Sequence, residues 1–267
     1  MKEAGYMLKK VKTIIICILS GFFVSSCGLE EVLTVEEPKT LTNNTDYSSS
    51  EPLKWYFGFK TAVDSGVNFI GTDVYYKIYN NYSTLNSERS SILSVNTNTN
   101  SSAAATRMIE TYTYQPLGTS TATDNSVYFE KSVANRTVVF RLKSFYPSIS
   151  DEESKKANDR YKQHACVGMK IGDTTTEYSY EKFIPFRNGN RKSFDFFDDD
   201  EDNKGGSRDV LPEEGDSDYK HSSSASETDV YYVQLFAVGV ALNPETVTAS
   251  YSLVLDLGSV PIRKKDL

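Results

Sequence analysis

The densest concentration of chemically capable side chains in this sequence is acidic. Eleven carboxylates (Asp195, Asp198, Asp199, Asp200, Glu201, Asp202, Asp209, Glu213, Glu214, Asp216 and Asp218) fall within one stretch that holds only Lys204 and Arg208 against them. Crowded carboxylates repel, and a hard cation such as Ca2+ relieves that repulsion while taking the roughly 6 to 8 oxygen ligands it prefers. Asp198, Asp200 and Asp202 alternate along the chain, and Asp209 follows. The competing reading is a solvated acidic loop that binds nothing.

Acid–base and nucleophilic chemistry has less to draw on. The only histidines, His164 and His221, both lie in polar surroundings, 57 residues apart. The chain has no His-Glu-x-x-His, no paired-cysteine zinc pattern, no Gly-x-Ser-x-Gly turn and no glycine-rich phosphate loop. A carbohydrate-active hydrolase needs two facing carboxyls, and among so many acids no spacing selects a pair. The sequence therefore points to a non-enzymatic protein, with a periplasmic or surface carbohydrate-active hydrolase as the alternative.

One further residue has a chemical role implied by its surroundings. Lys2, Lys9, Lys10 and Lys12 precede an uncharged run, Thr13 to Val24, which ends in Ser25, Ser26 and Cys27. About a dozen apolar residues fall short of the ~20 needed to cross a bilayer as a helix, so residues 1–26 read as a signal peptide. Val24-Ser25-Ser26-Cys27 resembles the lipobox of bacterial lipoproteins in a relaxed, spirochaete-like form, with Ser26 where Ala or Gly is more usual and Val24 in place of Leu. The resemblance implies cleavage before Cys27, a diacylglyceryl thioether on its sulfur and palmitate-type acyl chains. It implies an anchor in the cell envelope, most naturally the outer membrane. Each buried CH2 contributes ~0.8 kcal/mol, so two or three chains hold a soluble body firmly.

Charge and cysteine content narrow the options. The chain carries −7, and residues 1–26 hold four lysines against Glu3, so the 241 residues that remain carry −10. Such a body has no electrostatic footprint for nucleic acid. With Cys17 in the signal and Cys27 lipidated, Cys166 stands alone, leaving no intramolecular disulfide. It reads as a small buried hydrophobe, with a reactive thiol or an intermolecular bridge as the alternatives.

The elements that must position these residues are mostly strands. Tyrosine is abundant, and it suits a pleated, half-buried surface along with the β-branched residues. Residues 27–52 are polar and read as a flexible tether, and 53–262 as a β-sandwich domain with a disordered acidic insertion near 195–226. Strand signals fall at 53–63, 109–115, 127–131, 134–145 and 177–186. Between Asn68 and Asn80, Ile70, Val74, Tyr76 and Ile78 alternate with Gly71, Asp73, Tyr75 and Lys77, as in a strand with one buried face. Asp229 to Leu242 is apolar on both faces, and Val247, Ala249, Tyr251, Leu253, Leu255 and Leu257 alternate inward after a turn at Asn243-Pro244. The Ser- and Asn-rich stretch from Asn80 to Ala105 reads as a loop, and Ser150 to His164 as the single short surface helix. Thr-Asp-Val-Tyr-Tyr occurs at both 72–76 and 228–232, which fits two adjacent strands of like face chemistry as well as coincidence.

Phe69 to Tyr79 (FIGTDVYYKIY) resembles the third strand of fibronectin type III domains, and Tyr231 to Val238 the sixth. Trp55 would be the core tryptophan of that family. The resemblance implies an all-β, immunoglobulin-like antiparallel sandwich with long loop insertions. Asp198, Asp200 and Asp202 similarly resemble the first, third and fifth ligands of an EF-hand loop, although Asn203 stands where Gly is expected and Asp209 where Glu would close the site; the resemblance implies Asp198, Asp200, Asp202 and Asp209 as candidate calcium ligands. Tyr75, Tyr79 and Tyr231 either line a binding face for a protein or glycan or are ordinary strand residues.

Overall fold

The computed structural model describes residues 35–41, 57–62, 68–119, 137–142, 166–170, 180–183, 185–187, 192, 194, 196, 211–223, 230–243 and 246–263, all within the compact unit Thr34–Leu267. In chain order the strands are β1 (Lys39–Thr40), β2 (Phe57–Lys60), β3 (Phe69–Tyr79), β4 (Gln115–Pro116), β5 (Gly118–Thr119), β6 (Thr137–Arg141), β7 (Cys166–Lys170), β8 (Tyr180–Phe183), β9 (Pro185–Phe186), β10 (Tyr219–Lys220), β11 (Val230–Leu242) and β12 (Ala249–Arg263). Two helices, α1 (Tyr82–Leu93) and α2 (Ser102–Thr106), are followed by a π-helical turn at Arg107–Thr111.

Strands dominate, as the composition implies, in two main sheets that are antiparallel but for one pairing. The first has the order β1-β2-β6-β7-β8, and the second β10-β3-β11-β12, with β4 also on β3. The exception is β10, which runs parallel to β3. β5 and β9 form a separate two-stranded pair. β11 is central and apolar on both faces, as its sequence requires. Val233, Leu235 and Ala237 share a core with Phe59 and Val138 of the first sheet and with Leu142 just after β6. Phe236, Val238 and Val240 face the helices, beside Leu85, Ile92, Ala104 and Met108. β3, which holds the first copy of the repeated pentapeptide, and β11, which begins within the second, are neighbours paired antiparallel.

The strict alternation expected of β12 is broken twice. Its pairing with β11 shifts between Leu235 and Phe236 and again between Val238 and Val240. Each extra residue reverses which parity faces which core. Gly258, at φ +89°, occupies the first shift, where a side chain would be strained. As a result Leu255, Leu257, Val260 and Ile262 all meet the inter-sheet core and Tyr251 and Val254 meet the helices; Val247 lies ahead of β12, in the turn, and is 73 % exposed.

Further expectations need correction. The stretch from Asn80 to Ala105 is not a loop, and the limit of one short surface helix does not hold. Asn81 caps α1 through its side chain, which accepts from the Thr84 N–H at 3.1 Å, and Leu85, Glu88 and Ile92 face the sheet at helical spacing. Ile109 to Thr111 complete the π-turn and residues 112–114 are irregular, so the strand expected there begins only at Gln115. The tether reading fails at 35–41, where Val35 is buried and β1 pairs with β2. There the carbonyl of Glu36 lies so close to Gly239 that an added Cβ would sit 2.5 Å from it.

The acidic insertion is not unstructured throughout. Phe194 and Phe196 are core residues, and residues 211–223 are held against the edge of β3. The expected elements at 127–131 and 150–164, together with Trp55, lie outside the described residues. Cys166 opens β7 opposite Arg141.

Candidate functional site

The polar residues of β3 do not face water. Asp73, Tyr75, Lys77 and Tyr79 lie on the face covered by the helices, and all four are buried. With β3 and β11 inside a sheet and a helical layer above, this face is a second interior built around charges. A buried charge is tolerated when it is paired and hydrogen-bonded, and most of these are.

Lys77 Nζ donates to Glu88 Oε2 of α1 at 3.1 Å and to the carbonyl of Tyr112. It also sits over the rings of Tyr79 and Tyr114, at 5.5 and 5.8 Å from their centroids. Tyr79 donates to the same Glu88 oxygen at 2.8 Å, and its oxygen is 3.0 Å from that of Tyr114. Burial pushes the Lys77 ammonium below its ordinary pKa, with Glu88 opposing that shift. The Tyr79 and Tyr114 hydroxyls are driven well above theirs, chiefly by burial, and stay protonated.

On β11, directly opposite Lys77, stands Gln234. Its amide donates to Asp256 Oδ1 at 2.8 Å and to the Leu235 carbonyl at 3.1 Å, leaving Oε1 buried and without a partner among the described residues. Asp256 is gripped in turn by Arg89 of α1, Nε to Oδ2 at 2.6 Å. Two ion pairs thus fasten α1 to the sheet.

A second charged cluster fixes the acidic segment. Arg187 is almost wholly buried and binds both oxygens of Asp218, at 2.8 and 2.9 Å, and Asp216 at 2.6 Å. Lys192 adds a bond to Asp216 at 3.0 Å, and Tyr76 donates to Asp218 at 2.6 Å. Asp216 and Asp218 are therefore ion-pair partners of a buried arginine and not members of a solvated acidic loop.

Asp73 is the exception. It is 2 % exposed and has no cationic partner among the described residues. Its Oδ1 accepts from the Val74 N–H at 3.1 Å. Burial pushes its carboxyl up to about 8, against the lowering effect of the Val74 N–H and of the neighbouring Tyr75 side chain, so it is largely protonated at neutral pH.

Of the residues singled out in the sequence, Tyr75, Tyr79 and Tyr231 are all buried. They form no exposed binding face: the first two belong to the helix-covered interior, and Tyr231 packs on Phe196 and Tyr219. Cys27, Asp198, Asp200, Asp202 and Asp209 lie outside the described residues. Among the described residues no group of three or more His, Cys, Asp or Glu could hold a metal ion, and no helix is long and apolar enough to cross a membrane. His221 is exposed, with its Nδ1 3.4 Å from the Asn80 amide nitrogen.

The polar face of β3 was visible in its alternation, but its burial was not. The missing signal was the Asn81 cap with Leu85 and Ile92 behind it, which announces a helix able to cover that face. In comparisons with known proteins, no family model, curated protein or solved structure matches this chain.

Proposed function

We propose that this protein is a lipid-anchored component of a bacterial cell envelope, most naturally of the outer membrane, whose β-rich body acts by binding or as structure rather than by catalysis. The observation that carries the anchor is the run of lysines, the short apolar segment and Val24-Ser25-Ser26-Cys27 in immediate succession. Support for a binding or structural role comes from the paired ions of the interior and its margin. Lys77 is held by Glu88, Arg187 by Asp216 and Asp218, and Arg89 holds Asp256. Charges committed to one another in this way stabilise a framework.

An immunoglobulin-like sandwich is the finer fold we assign to the body. In such domains the third, sixth and seventh strands lie side by side in one sheet. β3, β11 and β12 have that order here, and the two sheets share a core. The other sheet departs from the pattern, because the strand beside β2 is followed by β7 and then β8 outward.

The test is metabolic labelling with a clickable palmitate analogue in cells making the parent or Cys27→Ser, followed by proteinase treatment of intact cells. Label on the parent and none on the variant is the expected result. Equal labelling, or a parent that is released into the medium, overturns the anchor. Loss of the body on treatment of intact cells places it on the outer surface, and survival until the outer membrane is breached places it in the periplasm.

A further inference from the structure

The strands of the first sheet carry five cations, Lys39, Lys60, Arg141, Lys170 and Lys182, and one acid, Glu181. Register sorts them. Lys39 stands opposite Lys60, Lys60 opposite Thr137, and Thr137 opposite Lys170, so three lysines fall in one row across the sheet. Lys182 falls in the next row of the same parity, through Gly168 and Val139, and Arg141 lies two positions beyond Val139. The row between holds Phe59, Val138, Met169 and Glu181, and Phe59 and Val138 are wholly buried in the inter-sheet core. Side chains alternate along a strand and cross-strand partners share a face. All five cations therefore fall on the face turned away from the core, and within these strands no acid shares it.

We propose that this basic face docks on the phosphate-bearing headgroups of the bilayer that holds the lipid on Cys27. Lys39 and Lys60 are exposed, and neither pairs with an acid among the described residues. Like charges directly opposite each other repel, and an anionic surface laid across the row relieves that repulsion. The net charge of −10 conceals the face without cancelling it. Glu88 and Asp256, for example, lie beyond the second sheet, and stacked sheets are about 10 Å apart, more than the ~8 Å over which physiological salt screens charge. Chain length permits the contact. From Cys27 to Val35, the first described residue, the chain reaches at most about 30 Å, and β1, which opens the row, begins four residues later at Lys39. This orientation presupposes the lipid anchor, which keeps the face at high local concentration beside the headgroups.

The test is cosedimentation of the mature chain from residue 27, carrying Cys27→Ser so that no lipid contributes, with vesicles of phosphatidylcholine alone or mixed equally with phosphatidylglycerol. The expected result is binding to the anionic vesicles only, weakening as salt is raised. Lys39→Gln with Lys60→Gln should lower the partition coefficient roughly 30-fold, whereas Arg107→Gln with Lys220→Gln, the same charge change away from this face, should change it little. No binding to either vesicle, equal binding to both, or equal losses in the two variants overturns the docking. Binding to polyphosphate without binding to vesicles gives the face to a soluble polyanion and overturns it too. Should the Lys39 and Lys60 variant not fold, the parent's preference between the two vesicles decides. Because this chain carries no lipid, its failure to bind leaves the palmitate labelling of the parent standing, and a failure of that labelling leaves the vesicle result standing.

Discussion

Arg187 and Asp218 face each other through two bonds, Nε to Oδ2 at 2.8 Å and Nη2 to Oδ1 at 2.9 Å, with both side chains almost fully buried. Because Ile78 donates to the Asp218 carbonyl at 2.8 Å, the pair also fixes residues 211–223 beside β3. Asp218→Asn leaves a buried guanidinium short of its charge partner and is expected to cost about 3 to 5 kcal/mol. Arg187→Lys should lose a large part of that as well, because an ammonium cannot reproduce the fork. Urea unfolding measures both, and a variant within about 0.5 kcal/mol of the parent would show that the cluster is not holding the segment.

Asp216, in the same cluster, has a pH signature. Burial opposes its charge, but the Glu213 N–H, Lys192 and Arg187 together outweigh that and hold its pKa below the ordinary 3.8. A lowered carboxylate stabilises the fold above its unfolded pKa, and the contribution is lost as pH falls through the folded one. Asp216→Asn should therefore be less stable than the parent at neutral pH, with the difference shrinking as acid protonates the parent's carboxyl. A difference that stays constant with pH would assign the effect to packing.

Lys77 and Glu88 call for a double-mutant cycle. Glu88→Gln leaves an ammonium without its counter-charge beneath α1, at an expected cost of about 3 to 5 kcal/mol. Lys77→Met with Glu88→Gln removes both charges, keeps an acceptor for the Tyr79 hydroxyl and should cost less than the sum of Lys77→Met and Glu88→Gln alone. Additive losses would mean that the pair is not coupled.

What the sequence disclosed follows from the range of the signals. β3 and β11 were legible because alternation and a two-faced apolar run are local patterns. The helical cover was not, because Ser and Asn dominate α1 and leave Leu85 and Ile92 as a sparse apolar stripe. The charged clusters were hidden for a different reason: Tyr76 meets Asp218 across 142 positions and Lys77 meets Gln234 through strand register. Local spacing instead drew attention to the alternating acids from Asp198 to Asp202, while the residues that organise the described acidic segment, Asp216 and Asp218, looked like more of the same charge run.

Asn96 shields a sheet edge. Its side chain donates to the Val254 carbonyl and accepts from the Val254 N–H, both at 2.9 Å, as a neighbouring strand would. Asn96→Ala exposes both groups at the outer edge of the long β12, which invites pairing with another chain. The expected result is a loss of about 1 to 3 kcal/mol and increased light scattering on warming. Unchanged stability and scattering would show that the remainder of β12 protects itself.

Val247 offers a stabilising substitution. It lies in the β11–β12 turn with φ +54°, a left-handed conformation that its β-branched side chain disfavours, and it is 73 % exposed. The turn needs that conformation, because the Val247 N–H donates to the Asn243 carbonyl and the Asn243 N–H to the Thr248 carbonyl, each at 2.9 Å. Asparagine tolerates left-handed backbone far better, and little burial is lost on replacing so exposed a side chain. Val247→Asn should raise stability by about 1 kcal/mol, read as a higher urea midpoint at unchanged slope. A lower midpoint would mean that the valine makes a contact worth more than the backbone strain it imposes, and the turn would then become the place to look for whatever the exposed side chain touches.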